Sequence, residues 1–415
     1  MKIENLILEK KNGRARASAR GIWEDCGRKA QEVFFETELE FADGFSANPN
    51  AFLVGCIMPA MLYGEKRVLL DAEVCPELKD GLITVMGWMR YWYYGPDKPL
   101  VQIEVKKPSS LPLPSAHKRA ALFFSGGIDS LATLRVNRIN YPPGHPGSIK
   151  DGLLVYGLEV TKPEKFDYVL KSVSEIARDA GVTLIPVYTN LRDIGPEDVA
   201  EFWGDFWTDK FEGAVFSAVA HTFSRRINKV YINSSFDIPN LHPHGSHPLI
   251  DPNYSSYDLK ILHEGIALSR FDKTRLIADW DTALQHLRVC NMSLEYQPGV
   301  LNCGECEKCV RTMLTLMALG VLEKAHAFQR HEISTELLNS AICMNKTTMP
   351  FYGELLEPLE AIGRHDLVRV IKRRMAIRKW RDRTIEPVRK FDDIFLKGNL
   401  LKLKRSVYKK GILAR

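Results

Sequence analysis

Six residues, Ser125-Gly126-Gly127-Ile128-Asp129-Ser130, set two adjacent glycines between hydroxyls and beside a carboxylate. Glycine leaves backbone N–H groups bare and tolerates positive φ, so this run can cradle an anion. Ser125 and Ser130 can donate hydroxyls to phosphate oxygens, and Asp129 can hold a magnesium ion or orient the turn. The apolar run Ala120–Phe124 just before it reads as a buried strand, and Leu131–Leu134 just after it opens a helical pattern. The glycines therefore fall where a strand becomes a helix, whose N-terminus adds its own attraction for negative charge. A tight turn with a polar helix cap is the plain alternative.

A second group with chemistry lies downstream. Cys290, Cys303, Cys306 and Cys309 follow a C-x12-C-x2-C-x2-C spacing that can bring four sulfurs onto one tetrahedral ion. Four thiolates and no other ligand type point to a closed, structural zinc site. An iron–sulfur cluster and uncoordinated thiols are the alternatives. Cys26, Cys56, Cys75 and Cys343 occur singly and read as packing residues.

The run Ser-Gly-Gly-x-Asp-Ser resembles the pyrophosphate-binding loop (PP-loop) of the ATP pyrophosphatase superfamily. It is not a Walker-type loop, because no Gly-Lys-Ser/Thr follows. A PP-loop followed by a cysteine tetrad is similar to the 7-cyano-7-deazaguanine synthase family, and the likeness covers residues 118–320. The resemblance implies that ATP is cleaved to AMP and pyrophosphate, and that the AMP activates a carboxylate or carbonyl oxygen. A nitrogen nucleophile then attacks, with a structural zinc nearby. It further implies that Leu158-Glu159-Val160 frames the adenine through backbone groups. The segment Phe271–Ala278 looks like the superfamily's downstream Lys-bearing helix start, with Lys273 meeting the phosphates; a surface lysine is the plain reading.

The elements that must position these groups are legible as patterns. Strands are expected at Ala120–Phe124, Leu153–Val160, Thr183–Tyr188, Lys229–Asn233 and a short stretch at Leu287–Val289. Helices are expected at Leu131–Arg138, Lys165–Ala180 and Phe211–Ile227. Such alternation predicts an α/β fold with a doubly wound parallel sheet and the ligand at the strands' carboxyl ends. The superfamily resemblance adds an adenine-nucleotide α-hydrolase-like (HUP) architecture. Asn190 and Ser234 follow expected strands and are candidates at that edge. The irregular loop Pro239–Asp258 brings His242, His244 and His247 as candidates for substrate contact, general-base work or metal binding, with Asp251, His263 and Glu264 as further candidates. Residues 1–113, ending in a Pro-rich linker, read as an N-terminal α+β domain, 118–320 as the nucleotide domain and 321–415 as a helical, basic region.

The chain has 415 residues and a net charge of +6. Residues 364–415 carry 18 Lys/Arg against 5 Asp/Glu, an excess of +13 that leaves −7 for residues 1–363. The basicity thus belongs to the tail, which suits a nucleic acid, an anionic membrane surface or a solvated helix, and not to the nucleotide domain. No stretch is apolar enough to span a bilayer or read as a signal peptide, so a cytoplasmic location is expected. With what the resemblance implies, the expectation is an adenylating enzyme that uses ATP, Mg2+ and structural Zn2+. Its substrate would be a small-molecule or modified-base carboxylate, with ammonia or an amine as donor. An RNA-thiolating enzyme and a non-catalytic nucleotide sensor are the rivals.

Overall fold

In the computed structural model, residues 1–108, 119–158, 160–290 and 299–395 are described. The strands are β1 (Lys2–Lys11), β2 (Arg14–Ile22), β3 (Gln31–Glu38), β4 (Arg67–Val74), β5 (Gln102–Pro108), β6 (Arg119–Phe123), β7 (Ile149–Tyr156), β8 (Thr183–Thr189), β9 (Ile227–Asn233) and β10 (Lys260–Glu264). They form one mixed, mostly parallel ten-stranded sheet in the order β10-β9-β6-β7-β8-β3-β2-β1-β4-β5. Strands β6 to β10 are mutually parallel, as expected of an α/β unit. The first five strands do not make a separate sheet. β3 pairs antiparallel with β8 and carries the same sheet onward.

Helices cover both faces: α1 (Pro49–Tyr63), α2 (Pro76–Met89), α3 (Ile128–Asn140), α4 (Pro163–Asp179), the single turn α5 (Val199–Glu201), α6 (Glu212–Thr222), α7 (Arg270–Ile277), α8 (Asp281–His286) and α9 (Glu307–Ala318). A C-terminal helical region follows, with α10 (Thr335–Ala341), α11 (Met349–Gly353), α12 (Leu356–Ala361) and α13 (His365–Phe395). Two apolar clusters result. One joins α1, α2 and α6 to β1–β4, β9 and β10; the other joins α3, α4, α7, α8 and α9 to β6, β7 and the C-terminal helices. Helix α1 is apolar all round and buried from Asn50 to Met61, the pattern of an interior helix. Pro49 opens it, the Asn48 side chain caps it through the Asn50 N–H, and Gly64 at φ +77° ends it. Among the described residues no helix is long and apolar enough to cross a membrane.

Three local departures from the sequence reading have clear causes. Residues 287–289 form no strand, because their backbone groups are taken by Gly126 and Asn302 rather than by a sheet neighbour. β10 follows just after the irregular loop, where no strand was expected, and pairs with β9 in parallel register, Glu264 opposite Asn233. β1 and β2 turn at Asn12 (φ +51°) and Gly13 (φ +78°), the Asn-Gly signature of a two-residue hairpin, which the sequence analysis passes over. The linker residues 109–118, Glu159 and the tail beyond 395 lie outside the described residues.

Candidate functional site

The chain leaves β6 for β7 on one side, and later returns to place β9 on the other. The strand order therefore reverses between β6 and β9, and a crevice opens there at the carboxyl ends. The glycine turn and Ser234 flank that crevice, and Asn233 bridges it by donating from Nδ2 to the Phe123 carbonyl at 2.6 Å. Gly126 sits at φ +73°, and a Cβ there would lie 2.9 Å from Val173 Cγ2. Gly127 is extended (φ −87°, ψ 167°) and starts α3 without any side-chain cap. The first N–H groups of α3 therefore face the crevice with the helix's positive end behind them. Ser125 is exposed at the turn and accepts from the Gly127 N–H at 3.3 Å. The Ser130 hydroxyl is buried and donates to the Gly127 carbonyl at 2.9 Å, so it braces the turn rather than lining it. Buried Ile128 packs beneath the turn.

Asp129 reaches α7. Its Oδ2 accepts from Arg270 at 2.5 Å, and its Oδ1 lies 3.5 Å from the Lys273 ammonium. Lys273 also donates to the Ser234 carbonyl at 2.6 Å and is almost fully buried, 1 % exposed. Burial alone would raise the Asp129 carboxyl, but Arg270 and Lys273 outweigh it and hold the group below its ordinary value. Burial pulls the Lys273 ammonium down, opposed by Asp129. Helix α7 is fixed at its start by Ser269, which accepts from the Asp272 N–H at 3.1 Å and donates to the Asp272 carboxylate at 2.9 Å. Of the two roles open to Asp129, orienting the turn is the one that these contacts serve. With two cations already beside it, the carboxylate does not fit a magnesium site of its own. Arg270 and Arg288 are neighbours that sequence reading missed. Arg270 stands one residue before the lysine-bearing segment, and Arg288 donates its N–H to the Gly126 carbonyl at 2.9 Å.

Among the other expected nucleotide residues, Asn190 has its side-chain amide engaged elsewhere. Asn190 gives Nδ2 to the Glu32 carbonyl (2.8 Å) and takes the Phe34 N–H on Oδ1 (2.9 Å), which staples β8 to β3. Leu158 is buried in the apolar cluster shared with β3 and β8, just after the bend at Gly157. A Cβ on Gly157 would meet the Thr189 carbonyl at 1.9 Å, with φ at +96°. Ser234 holds the Phe236 turn with its hydroxyl and offers its carbonyl to Lys273.

The four cysteines do converge. Their sulfurs all lie within 4.8 Å of one another, with Cys290–Cys306 and Cys303–Cys309 at 3.9 Å. An ion bonded to four sulfurs at about 2.3 Å spaces them by about 3.8 Å, so the set fits a tetrahedral metal such as zinc. The neighbouring Cys306 and Cys309 thiols hold that of Cys290 well below the usual range. The same crowding pushes Cys306 up to about 12. A dication relieves that conflict by letting all four ionise. Asn302 is the organiser behind the knuckle. Its Oδ1 accepts from the Val289 and Cys290 N–H groups, and its Nδ2 donates to the Leu287 and Ala327 carbonyls. Since Arg288 grips Gly126, the metal knuckle and the glycine turn share one short segment, residues 287–290.

The histidine loop is seated against an unusual helix. Residues Phe202–Phe211 are π-helical, and the Thr208 carbonyl accepts from the Gly245 N–H at 2.7 Å. The Gly245 carbonyl in turn accepts from the Gly213 N–H at 2.8 Å. His242 and His244 stand edge-on to Phe236, which stacks on Phe351, and Arg311 lies 4.5 Å over the Phe351 ring. Arg311 is paired with Glu307, next to Cys306. His247 meets Trp92 edge-on, which draws the aromatic segment 88–94 into this wall. Burial and the nearby His242 push His244 down to about 4. Among the described residues the three loop histidines do not form a convergent ligand set, unlike the cysteines.

A Cβ on Gly245 would lie 2.8 Å from Lys210 N, Phe211 N and Trp207 O, none of which can yield without opening the π-helix. Gly245→Ala is therefore expected to cost about 1–3 kcal/mol. It should also raise amide exchange across residues 239–251, read by urea denaturation and hydrogen–deuterium exchange. An unchanged loop would refute the tight seating.

No protein family, curated protein or solved structure matches this chain.

Proposed function

We propose that the chain is an ATP-consuming ligase that forms AMP and pyrophosphate. One observation carries this reading. An uncapped helix N-terminus opens on the β6–β9 crevice, with two cations, Arg270 and Lys273, held at the same turn by Asp129. The likeness of Ser125–Ser130 to a PP-loop supports it, as does the parallel half-sheet of an adenine-nucleotide α-hydrolase kind.

In this reading the turn's N–H groups and Ser125 hold the phosphates of ATP. A substrate carboxylate oxygen attacks the α-phosphorus and the bond to pyrophosphate breaks. Lys273 and Arg270 balance the charge that grows on the leaving pyrophosphate. A nitrogen nucleophile then displaces AMP and yields an amide or, after a second cycle, a nitrile. Leu158 contributes backbone near the adenine, as the resemblance implies. Magnesium enters with the nucleotide, and Asp129 acts by holding Arg270 and Lys273 in place. Cys290, Cys303, Cys306 and Cys309 would hold a zinc ion with four thiolates, a donor set that would serve structure rather than chemistry.

A sulfur-carrying nucleophile is less well supported. Burial pushes the Cys56 thiol up to about 12 and also raises Cys26, which leaves both poor nucleophiles. The test is ATP–pyrophosphate exchange with aliphatic, aromatic and heteroaromatic carboxylates. Carboxylate-dependent exchange and equal yields of AMP and pyrophosphate are expected. ADP and phosphate as products, or ATP binding with no exchange across the panel, would overturn the reading.

A further inference from the structure

A second reactive centre stands on β10. His263 Nδ1 lies 2.7 Å from Asp251 Oδ2, and the same oxygen accepts from the Ser246 hydroxyl at 2.7 Å. Asp251 Oδ1 accepts from the His247 N–H at 3.3 Å, and the carboxylate is fully buried. The His263 side chain is 4 % exposed, and its Nε2 has no hydrogen-bond partner among the described residues. A carboxylate that takes two donors on one oxygen fixes the imidazole proton on Nδ1 and leaves a lone pair on Nε2. A lone pair buried without a partner costs about 1–3 kcal/mol. That cost suits a site made to meet a donor.

The centre is tied to the glycine turn by a short path. His263 precedes Glu264, whose carbonyl accepts from the Ser234 N–H at 2.8 Å. The Ser234 carbonyl accepts from Lys273, which lies 3.5 Å from Asp129. His263 is thus at the carboxyl end of β10, one strand beyond the crevice that opens between β9 and β6. Space for the pair is made by Gly213, where a Cβ would stand 2.3 Å from Asp251 Oδ1.

We propose that His263, oriented by Asp251, is the general base for a nitrogen nucleophile of the ammonia or primary-amine class; this rests on the adenylation reading above. The nitrogen attacks the carbonyl carbon of the acyl-adenylate. The new C–N bond forms, the C–O bond to the phosphate breaks, and AMP leaves with that electron pair. The surplus N–H proton passes to Nε2 and then to water, and Asp251 steadies the imidazolium. The other titratable groups around it are His242, His244 and His247 from the loop, with Glu212 of α6 3.6 Å from His244.

His263→Asn keeps a donor where Nδ1 stands and removes only Nε2; Asp251→Asn is the second variant. With ammonium chloride as the nucleophile, amide formation is expected to fall by about 10²–10³ in both. Pyrophosphate exchange should stay within about threefold of wild type. Equal losses in the two half-reactions, or undiminished amide formation, would overturn the base. Absence of exchange in the wild type would instead refute the adenylation reading. Nitrogen-15 NMR of labelled full-length protein decides independently of any carboxylate. A His263 proton resident on Nδ1, lost in Asp251→Asn, is expected. A proton on Nε2, or an imidazolium throughout, would refute the proposal.

Discussion

Lys273→Met is expected to lower pyrophosphate release by about 10²–10³ and stability by about 2–4 kcal/mol. Methionine follows the lysine stem but stops short of the ammonium, so the core stays largely filled and the change chiefly removes the charge. The Ser234 carbonyl then loses its donor, which alone costs about 1–3 kcal/mol in a buried place. Asp129 keeps Arg270 but loses the cation beside Oδ1. The lysine's own burial is a cost that methionine removes, which is why the expected loss stays moderate. The same variant should be less sensitive to acid. Folding holds the Asp129 carboxyl below its ordinary value, so the unfolded chain takes up that proton first as pH falls. The stabilisation is complete above about pH 4 and fades as pH drops through the depressed value. With one cation gone the depression shrinks, so the variant has less of this stabilisation to lose as pH falls, while the onset, set by the unfolded chain, stays where it was. Urea midpoints from pH 2 to 7, compared for wild type, Lys273→Met and Asp129→Asn, check this. Identical pH profiles for wild type and Lys273→Met would refute it.

Removing a metal held by the four cysteines is expected to unseat the glycine turn as well as the knuckle. Ordinary zinc-finger peptides gain about 10–16 kcal/mol from their ion. Here Cys290 and Cys309 are already packed in an apolar cluster, so part of the segment should persist and the local loss be on the order of 5 kcal/mol. The path is short: Asn302 binds the N–H groups of Val289 and Cys290, and Arg288 holds the Gly126 carbonyl. Chelation, or Cys303→Ser at the exposed ligand, should raise amide exchange at 287–290, 302–309 and 126–128 together. Wild-type protein should carry one metal per chain by elemental analysis. Exchange that rises at the knuckle while the turn stays protected would break the proposed link.

What the sequence disclosed depends on how local each signal is. The glycine turn, its strand and its helix are encoded within twenty residues, and the structure builds them as read. The cysteine spacing likewise fixes a convergent site, because the ligands themselves supply the geometry. Lys273 was placed at the start of a helix, where it stands. Arg270, Arg288 and Asn302 escaped notice because their roles come from partners more than ten residues away, on which local pattern is silent. Asn190 shows the converse. A polar residue after a strand reads as a ligand contact, yet its amide is spent on β3, a strand some 150 residues earlier in the chain. The histidine loop was recognised as irregular and polar, but its order arises from a π-helix, whose i→i+5 bonding leaves no simple periodic trace.

The seam between β8 and β3 has a consequence for how this chain can be divided. Pairs run from Phe35–Thr189 to Thr37–Val187, with the Thr37 hydroxyl on the Pro186 carbonyl and the Thr189 hydroxyl on the Phe34 carbonyl. Parting the halves at residues 109–118 would strip β8 of this partner and bare an apolar, adhesive flank where Val187 and Leu158 are now enclosed. The first hundred residues thus work as a built-in chaperone for the remainder: they occupy the β8 border of the parallel array, which would otherwise recruit a stranger's strand.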